Sequence, residues 1–266
     1  MFSGNARLIP ILLFGLYFGY YYFSHQERVP LTGRKHLVDI NRQQEDQLGL
    51  QSYRQVLSQS TVVRTGPLAD KITEVGQKIA KVTEDPGFKW EYSLIQSNQV
   101  NAFCLPGGKV AVYTGILPVA ANDSGLAVIM GHEIGHAIAH HGAERMAQQK
   151  LLQIGTMAAG VAVSDMDPAK QAAIMGALGV GSQYGVLLPF SRTHESEADY
   201  MGLIYVARAC YDPTEAPRLW QRMQKAGGRA PAQFMSTHPS SETRIRQFEQ
   251  WMPEALAIRA KSCPGK

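Results

Sequence analysis

The chain has 266 residues, 45% hydrophobic and 18% charged, which is enough apolar material for a substantial core and argues against a disordered polymer. Its net charge of +4 comes from scattered lysines and arginines with no basic stripe interleaved with aromatics, which argues against nucleic-acid binding. Cys104, Cys210 and Cys263 show no C-x-x-C spacing; buried thiols are the default, and a Cys210–Cys263 disulfide is open to the chain in an oxidising space.

The first element is the apolar stretch Leu8 to Phe23, ending in Tyr20-Tyr21-Tyr22 at what would be a lipid–water boundary. Its 16 residues fall just short of the roughly 20 needed to span a bilayer, a gap that flanking residues can close. No small-x-small cleavage site follows the tyrosines, so residues 1–28 read as an uncleaved signal anchor and residues 29–266 as one globular domain. Arg7 lies on one side of the anchor and Arg28, Arg34 and Lys35 on the other, and local charge counting alone keeps the domain cytoplasmic.

Gln43 to Leu57 and Leu68 to Val82 have helical periodicity, with Gly66-Pro67 between them. Asp85-Pro86-Gly87 predicts a turn, Trp90 to Gln96 a strand, and Lys109 to Thr114 a second strand after Pro106-Gly107-Gly108. A long apolar helix follows, N-capped from Asn122, Asp123 and Ser124 and running through Leu126 to Ala139. Leu151 to Val163 is too short to span a bilayer, and Ala172 to Phe190 is interrupted by Gly176, Gly179, Gly181, Gln183, Gly185 and Pro189. Both are expected as small-residue helices over a central cleft, joined by a polar loop, Ser164 to Pro168, free to move as a lid. Glu195 opens the next helix, a further one passes through Trp220, Met223 and Gln224 to end at Gly227-Gly228, and Ser241 to Trp251 makes the last, with Ile245, Phe248 and Trp251 inward. The fold class is therefore α+β, mainly α, with a small sheet before the central helix and one N-terminal anchor helix.

The central helix carries His132-Glu133-Ile134-Gly135-His136. Residues four apart share a helix face, so His132 and His136 can each offer a ring nitrogen to one metal ion. Unpaired imidazoles would be costly in so apolar a helix. Glu133 beside them can act as general base on a water that zinc acidifies, which is the chemistry of peptide-bond hydrolysis. The third ligand is expected from Glu195-Ser196-Glu197-Ala198-Asp199 on the first turns of its helix. Glu195 and Asp199 are again four apart, so Glu195 can reach the metal while Asp199 orients a ligating imidazole through its second nitrogen. Glu197 points elsewhere and reads as solvated.

These segments, with Asn101-Ala102-Phe103, Leu105-Pro106-Gly107-Gly108 and Thr237-His238-Pro239-Ser240, resemble the Ste-type and Oma-type zinc metallopeptidases over about residues 30–251. That family includes CAAX prenyl proteases, mitochondrial inner-membrane quality-control proteases and bacterial envelope proteases, and the compact Oma-type bacterial members are the better match. The resemblance implies a zincin-like domain with one Zn2+ held by His132, His136 and Glu195, Glu133 as general base and Asp199 as a supporting acid. It also implies that a sheet strand, here assigned to Lys109, Val110, Ala111, Val112 and Tyr113, pairs as an edge with extended substrate. The Val29-Pro30-Leu31-Thr32-Gly33-Arg34 segment resembles the entry of envelope-facing members, implying a periplasmic catalytic domain on the inner membrane, or the mitochondrial inner membrane in a eukaryote. Some members carry transmembrane helices between the metal helix and the third ligand.

His238 precedes a proline and reads as a side chain presented from a loop. Three roles are open to it: hydrogen-bond donor to the oxyanion, fourth metal ligand that keeps the enzyme latent, or cap of the helix starting at Ser240-Ser241-Glu242. His140 and His141 cannot join His132 and His136 on one ion and read as hydrogen-bonding residues, as do His25, His36 and His194. The expected function is hydrolysis of misfolded or unassembled envelope polypeptides by a membrane-anchored zinc endopeptidase, with homo-oligomerisation open. Alternatives are a CAAX-type protease, which needs more spanning helices, and a non-enzymatic chaperone or assembly factor, which would not need Glu133.

Overall fold

The computed structural model describes residues 8–84, 87–182, 187–226, 234, 238 and 242–265. In chain order these form α1 (Ile9–Ser24), β1 (Gln26–Arg28), β2 (Lys35–Leu37), α2 (Arg42–Ser58), β3 (Val62–Val63), α3 (Pro67–Ala80), β4 (Glu91–Ile95), β5 (Ala102–Leu105) and β6 (Lys109–Tyr113). A short α4 (Leu117–Ala120), α5 (Asp123–Ile138), α6 (His141–Ala162), α7 (Pro168–Ser182), α8 (Leu188–Arg208), α9 (Glu215–Ala226) and α10 (Glu242–Ser262) follow. The expected turn at Asp85-Pro86, the helix end at Gly227-Gly228 and the helix start at Ser240-Ser241 lie outside the described residues.

The chain divides into two compact units. The first gathers Met1–Val29, Gly33–Asn41 and His141–Thr193. Here Tyr21 of α1 packs with Leu37, Ala147 and Leu151, and Gly155 of α6 admits the Phe14 ring, which a Cβ would approach to 2.9 Å. Arg34 forms a two-pronged pair with Glu144 at 2.9 and 2.7 Å, and Lys150 reaches Asp39 at 2.6 Å. Ladder pairing sets β1 antiparallel to β2, with Glu27 opposite His36. Among the described residues no helix is long and apolar enough to cross a membrane; the 16 residues of α1 extend about 24 Å against a hydrocarbon core of about 30 Å.

The second unit holds Pro30–Thr32, Arg42–His140 and His194–Lys266. Its sheet has the order β3-β4-β6-β5, with β4 and β6 parallel and the other neighbours antiparallel. Lys109–Tyr113 is therefore an interior strand and not the edge expected of it: Ala111 pairs with Ser93 on one side and Phe103 on the other. The run Lys109 to Val112 is buried throughout, as suits a strand flanked on both sides. The edge beside it is β5, a short strand whose sequence carries little alternation. Ile72, Val75 and Ile79 line the inner face of α3, and Gly76 leaves room for the Tyr92 ring. α5 is apolar nearly all round and accordingly buried nearly all round.

Two boundaries and the default reading of two cysteines differ from the sequence analysis. α8 begins at Leu188, so Glu195 lies two turns inside the helix and gains nothing from the dipole at its start. α10 continues past Pro253 to Ser262, because the carbonyl that the proline leaves without a partner belongs to exposed Glu249, where water can serve it. Cys210 and Cys263 are joined, with Cα atoms 5.7 Å apart, and so are not inert thiols; the disulfide ties the segment after α8 to the end of α10.

Candidate active site

Asn122 starts α5 by accepting a hydrogen bond from Gly125 N at 2.8 Å. The helix ends where His140 takes a left-handed conformation at φ 53°, its Nδ1 lying 2.7 Å from buried Glu45. His140 is thus a core hydrogen-bonding residue, as expected. Between these ends His132 and His136 share one face, and α8 lies close against it. Glycine makes that approach possible: a Cβ on Gly135 would stand 3.1 Å from Ala198 O, and one on Gly131 3.0 Å from Gly202 O. Glu195 is thereby brought to the two histidines.

His132, His136, Glu195 and His238 form a cluster of potential metal ligands. His132 Nε2 lies 3.1 Å from His136 Nε2 and 3.1 Å from His238 Nδ1. Glu195 approaches His132 and His136 to 3.4 Å each and His238 to 3.0 Å. Donors about 2.0–2.2 Å from a tetrahedral ion stand about 3.3–3.6 Å from one another, so the four atoms fit a single small cation. Imidazole nitrogens and a carboxylate are the ligand types that zinc takes. The ring of His238 sits inside this cluster, whose backbone N donates to Phe234 O at 2.8 Å; the neighbouring Ser240 and Ser241 of the proposed cap are outside the described residues.

The surroundings polarise the cluster. His132 Nδ1 stands 2.9 Å from Asp199, the relation expected of a supporting carboxylate. Asp199 is in turn gripped by Arg244 at 2.6 and 2.7 Å, and the same guanidinium reaches Glu195 at 3.1 Å and lies 3.8 Å over the Trp220 ring. Burial disfavours charge on His132, but Asp199 and Glu195 outweigh it and push its pKa up to about 9. Burial also opposes ionisation of Glu195 and Asp199, yet His136 beside the first and Arg244 beside the second hold both below the usual carboxylate range. Glu133 goes the other way: burial pushes it up, only partly offset by His238, His132 and the backbone N–H of Cys104. Two anchored anions and one more basic carboxylate therefore share the site, an arrangement suited to cation binding and proton transfer.

Arg244 and Trp220 were not identifiable from the sequence as site residues. Arg244 is 49 positions beyond Glu195, and its only signal is its place six residues after His238. Glu197 is buried rather than solvated, 7% exposed, and accepts a hydrogen bond from Thr32. Lys109 and its strand neighbours are absent from the cluster, whereas β5 packs along α5 and the backbone N–H of Cys104 is one of the groups that favour the Glu133 carboxylate.

Residues 68–252 match the model of peptidase family M48. The chain is 36% identical over 249 residues to mitochondrial metalloendopeptidase OMA1 of Schizosaccharomyces pombe, covering 92% of this chain and 72% of that protein. It is 32% identical over 278 residues to the Saccharomyces cerevisiae protein of the same name, covering 97% and 78%. It is 27% identical over 208 residues to the beta-barrel assembly-enhancing protease of Escherichia coli, covering 76% and 42%. With an H-E-x-x-H helix at its centre and a His/Glu cluster built on it, the chain belongs to peptidase family M48 and is a metalloendopeptidase.

Proposed function

We propose that this is a zinc-dependent endopeptidase, anchored by its segment 1–28, that cleaves misfolded or unassembled membrane and envelope proteins through its domain 29–266. The observation that carries the catalytic part is the convergence of His132, His136 and Glu195 with buried Glu133 alongside. In this reading those three residues hold the zinc, which when bound supplies Lewis-acid polarisation of the scissile carbonyl. Glu133 takes the proton of the attacking water and returns it to the leaving amine, a task for which a raised pKa suits it. Asp199 holds the His132 ring, and Arg244 keeps Asp199 in place and ionised. His238 fills the fourth position of the cluster and acts as a latch, displaced when substrate arrives.

Extended substrate is proposed to add along β5, whose backbone passes next to Glu133, and not along β6. Main-chain pairing of this kind needs unfolded polypeptide and little side-chain specificity, which favours a quality-control role. The relatives' names, a mitochondrial metalloendopeptidase and a protease enhancing beta-barrel assembly, support an envelope setting. The catalytic domain would be periplasmic in a bacterium, or at the inner membrane in a mitochondrion. Metal analysis and casein cleavage by the purified full chain, with Glu133→Gln as control, test the reading. Zinc near one per chain with Glu133-dependent cleavage supports it, and binding of unfolded casein without cleavage would leave a chaperone instead.

A further inference from the structure

The second half of α6 and the part of α7 beyond Lys170 are as devoid of charge as α1. No charged residue lies between Lys150 and Asp165 or between Lys170 and Arg192. α7 has no buried residue, and large apolar side chains stand out on all three helices: Leu16 at 73% exposure, Met157 at 64% and Val180 at 60%. Leu12, Phe23, Val161, Ile174 and Leu178 are exposed as well. A folded domain does not leave so wide an apolar surface to water.

The arrangement within this unit identifies the solvent. Phe14 meets Gly155 while Tyr21 meets Ala147 and Leu151, so α1 and α6 run antiparallel with their charge-free stretches side by side. At one end Lys150 pairs with Asp39 and lies 5.1 Å over the Tyr21 ring, a lysine and a tyrosine placed as at a headgroup level. At the other end α6 gives way to Asp165 and Asp167. The helices meet through small residues, Phe14 at Gly155 and Met175 3.9 Å from a Cβ position on Gly160, as helices pack in lipid. A protein partner would be met by a mixed surface, whereas a slab of hydrocarbon requires a band free of charge and bounded at matching levels on neighbouring helices.

We infer that α1, the second half of α6 and α7 form one lipid-immersed layer, so that the α6–α7 hairpin is held in the bilayer together with α1. None of these helices crosses a membrane unaided. The shared band, about 21 Å along α6, is thinner than the usual core of about 30 Å, a mismatch met by local thinning of the bilayer and by the reach of Lys150 and Lys170. The inference goes beyond the anchoring proposed for segment 1–28 and is independent of the peptidase chemistry.

Spin labels on the full chain test it, in a Cys104→Ser background reconstituted into phosphatidylethanolamine–phosphatidylglycerol vesicles. Labels at Met157→Cys, Val161→Cys and Val180→Cys should collide with oxygen and be shielded from a water-soluble nickel complex, while one at Ser164→Cys stays open to nickel. Leu16→Cys reports on α1 in the same vesicles. Nickel access at the three hairpin sites with Leu16 in lipid would overturn the inference and leave the α1 anchor standing. Hairpin labels shielded from both reagents would mean that another protein chain covers this face, and would overturn it too.

Discussion

Gly202 of α8 lies so close to His132 of α5 that no side chain fits between them: a Cβ there would stand 2.7 Å from the His132 backbone nitrogen. The contact is backbone on backbone, so it cannot be relieved by a rotamer change. Gly202→Ala should cost about 1–3 kcal/mol in chemical denaturation, as overpacking does, and should lower the metal content as α8 backs away from His132 and His136. Wild-type stability with full metal occupancy would show that the helices do not need this approach.

Glu133→Gln should bind as much metal as the wild type, because no cluster ligand is removed. Casein cleavage should fall by about 10²–10⁴-fold, the usual worth of general acid–base assistance. Activity within a factor of about two of wild type would remove Glu133 from the base role.

Glu195 and Glu197 are both buried, and only the first belongs to the metal cluster. Glu195→Ala should lose the metal. Glu197→Ala should keep it and lose about 1 kcal/mol of stability, the usual worth of a hydrogen bond such as that from Thr32. Equal metal content in the two purified variants would mean that the third ligand lies elsewhere.

His238→Ala should raise cleavage of an unfolded substrate and quicken metal loss to a chelator, since the ring occupies the fourth corner of the cluster at rest. A fall in kcat of about 10²–10³ would instead make it an oxyanion donor. No change in either measurement would reject both roles.

Burial works against the Glu215 carboxylate, but Arg222 at 2.8 Å and Arg218 at 3.2 Å hold its pKa below the ordinary 4.5. A carboxyl with a lower pKa in the folded than in the unfolded chain stabilises the fold fully above the unfolded value and loses that contribution as pH falls through the folded one. At pH 7 the wild type should therefore exceed Glu215→Gln by an amount on the order of 1 kcal/mol. The two denaturation curves should converge in acid, once the carboxyl is protonated in the folded chain as well; a difference that survives there would assign the effect to packing.

The convergence of His132, His136, Glu195 and Asp199 could be read from the chain because helical spacing places four-apart residues on one face, a local rule. Strand order is not local. Lys109–Tyr113 and Ala102–Leu105 are neighbours in both sequence and space, and only the parallel pairing of β4 with β6 decides which of them is the edge. Arg244 escaped for a similar reason, since its grip on Asp199 depends on how α10 packs. Glu197 escaped because its partner, Thr32, is 165 positions away. The start of α8 was hidden by Pro189, which reads as a break but is tolerated in the first turn of a helix.

With β6 flanked on both sides, the sheet can lengthen beside this site only past β5. A polypeptide joining there has to bring a row of free N–H and C=O groups, and an intact protein has already paired its own. On the β5 docking proposed above, discrimination between sound and damaged molecules would require no recognition pocket. It would follow from the supply of unpaired backbone, and the choice of bond to cut would be governed less by the residues flanking it than by how long that segment stays open.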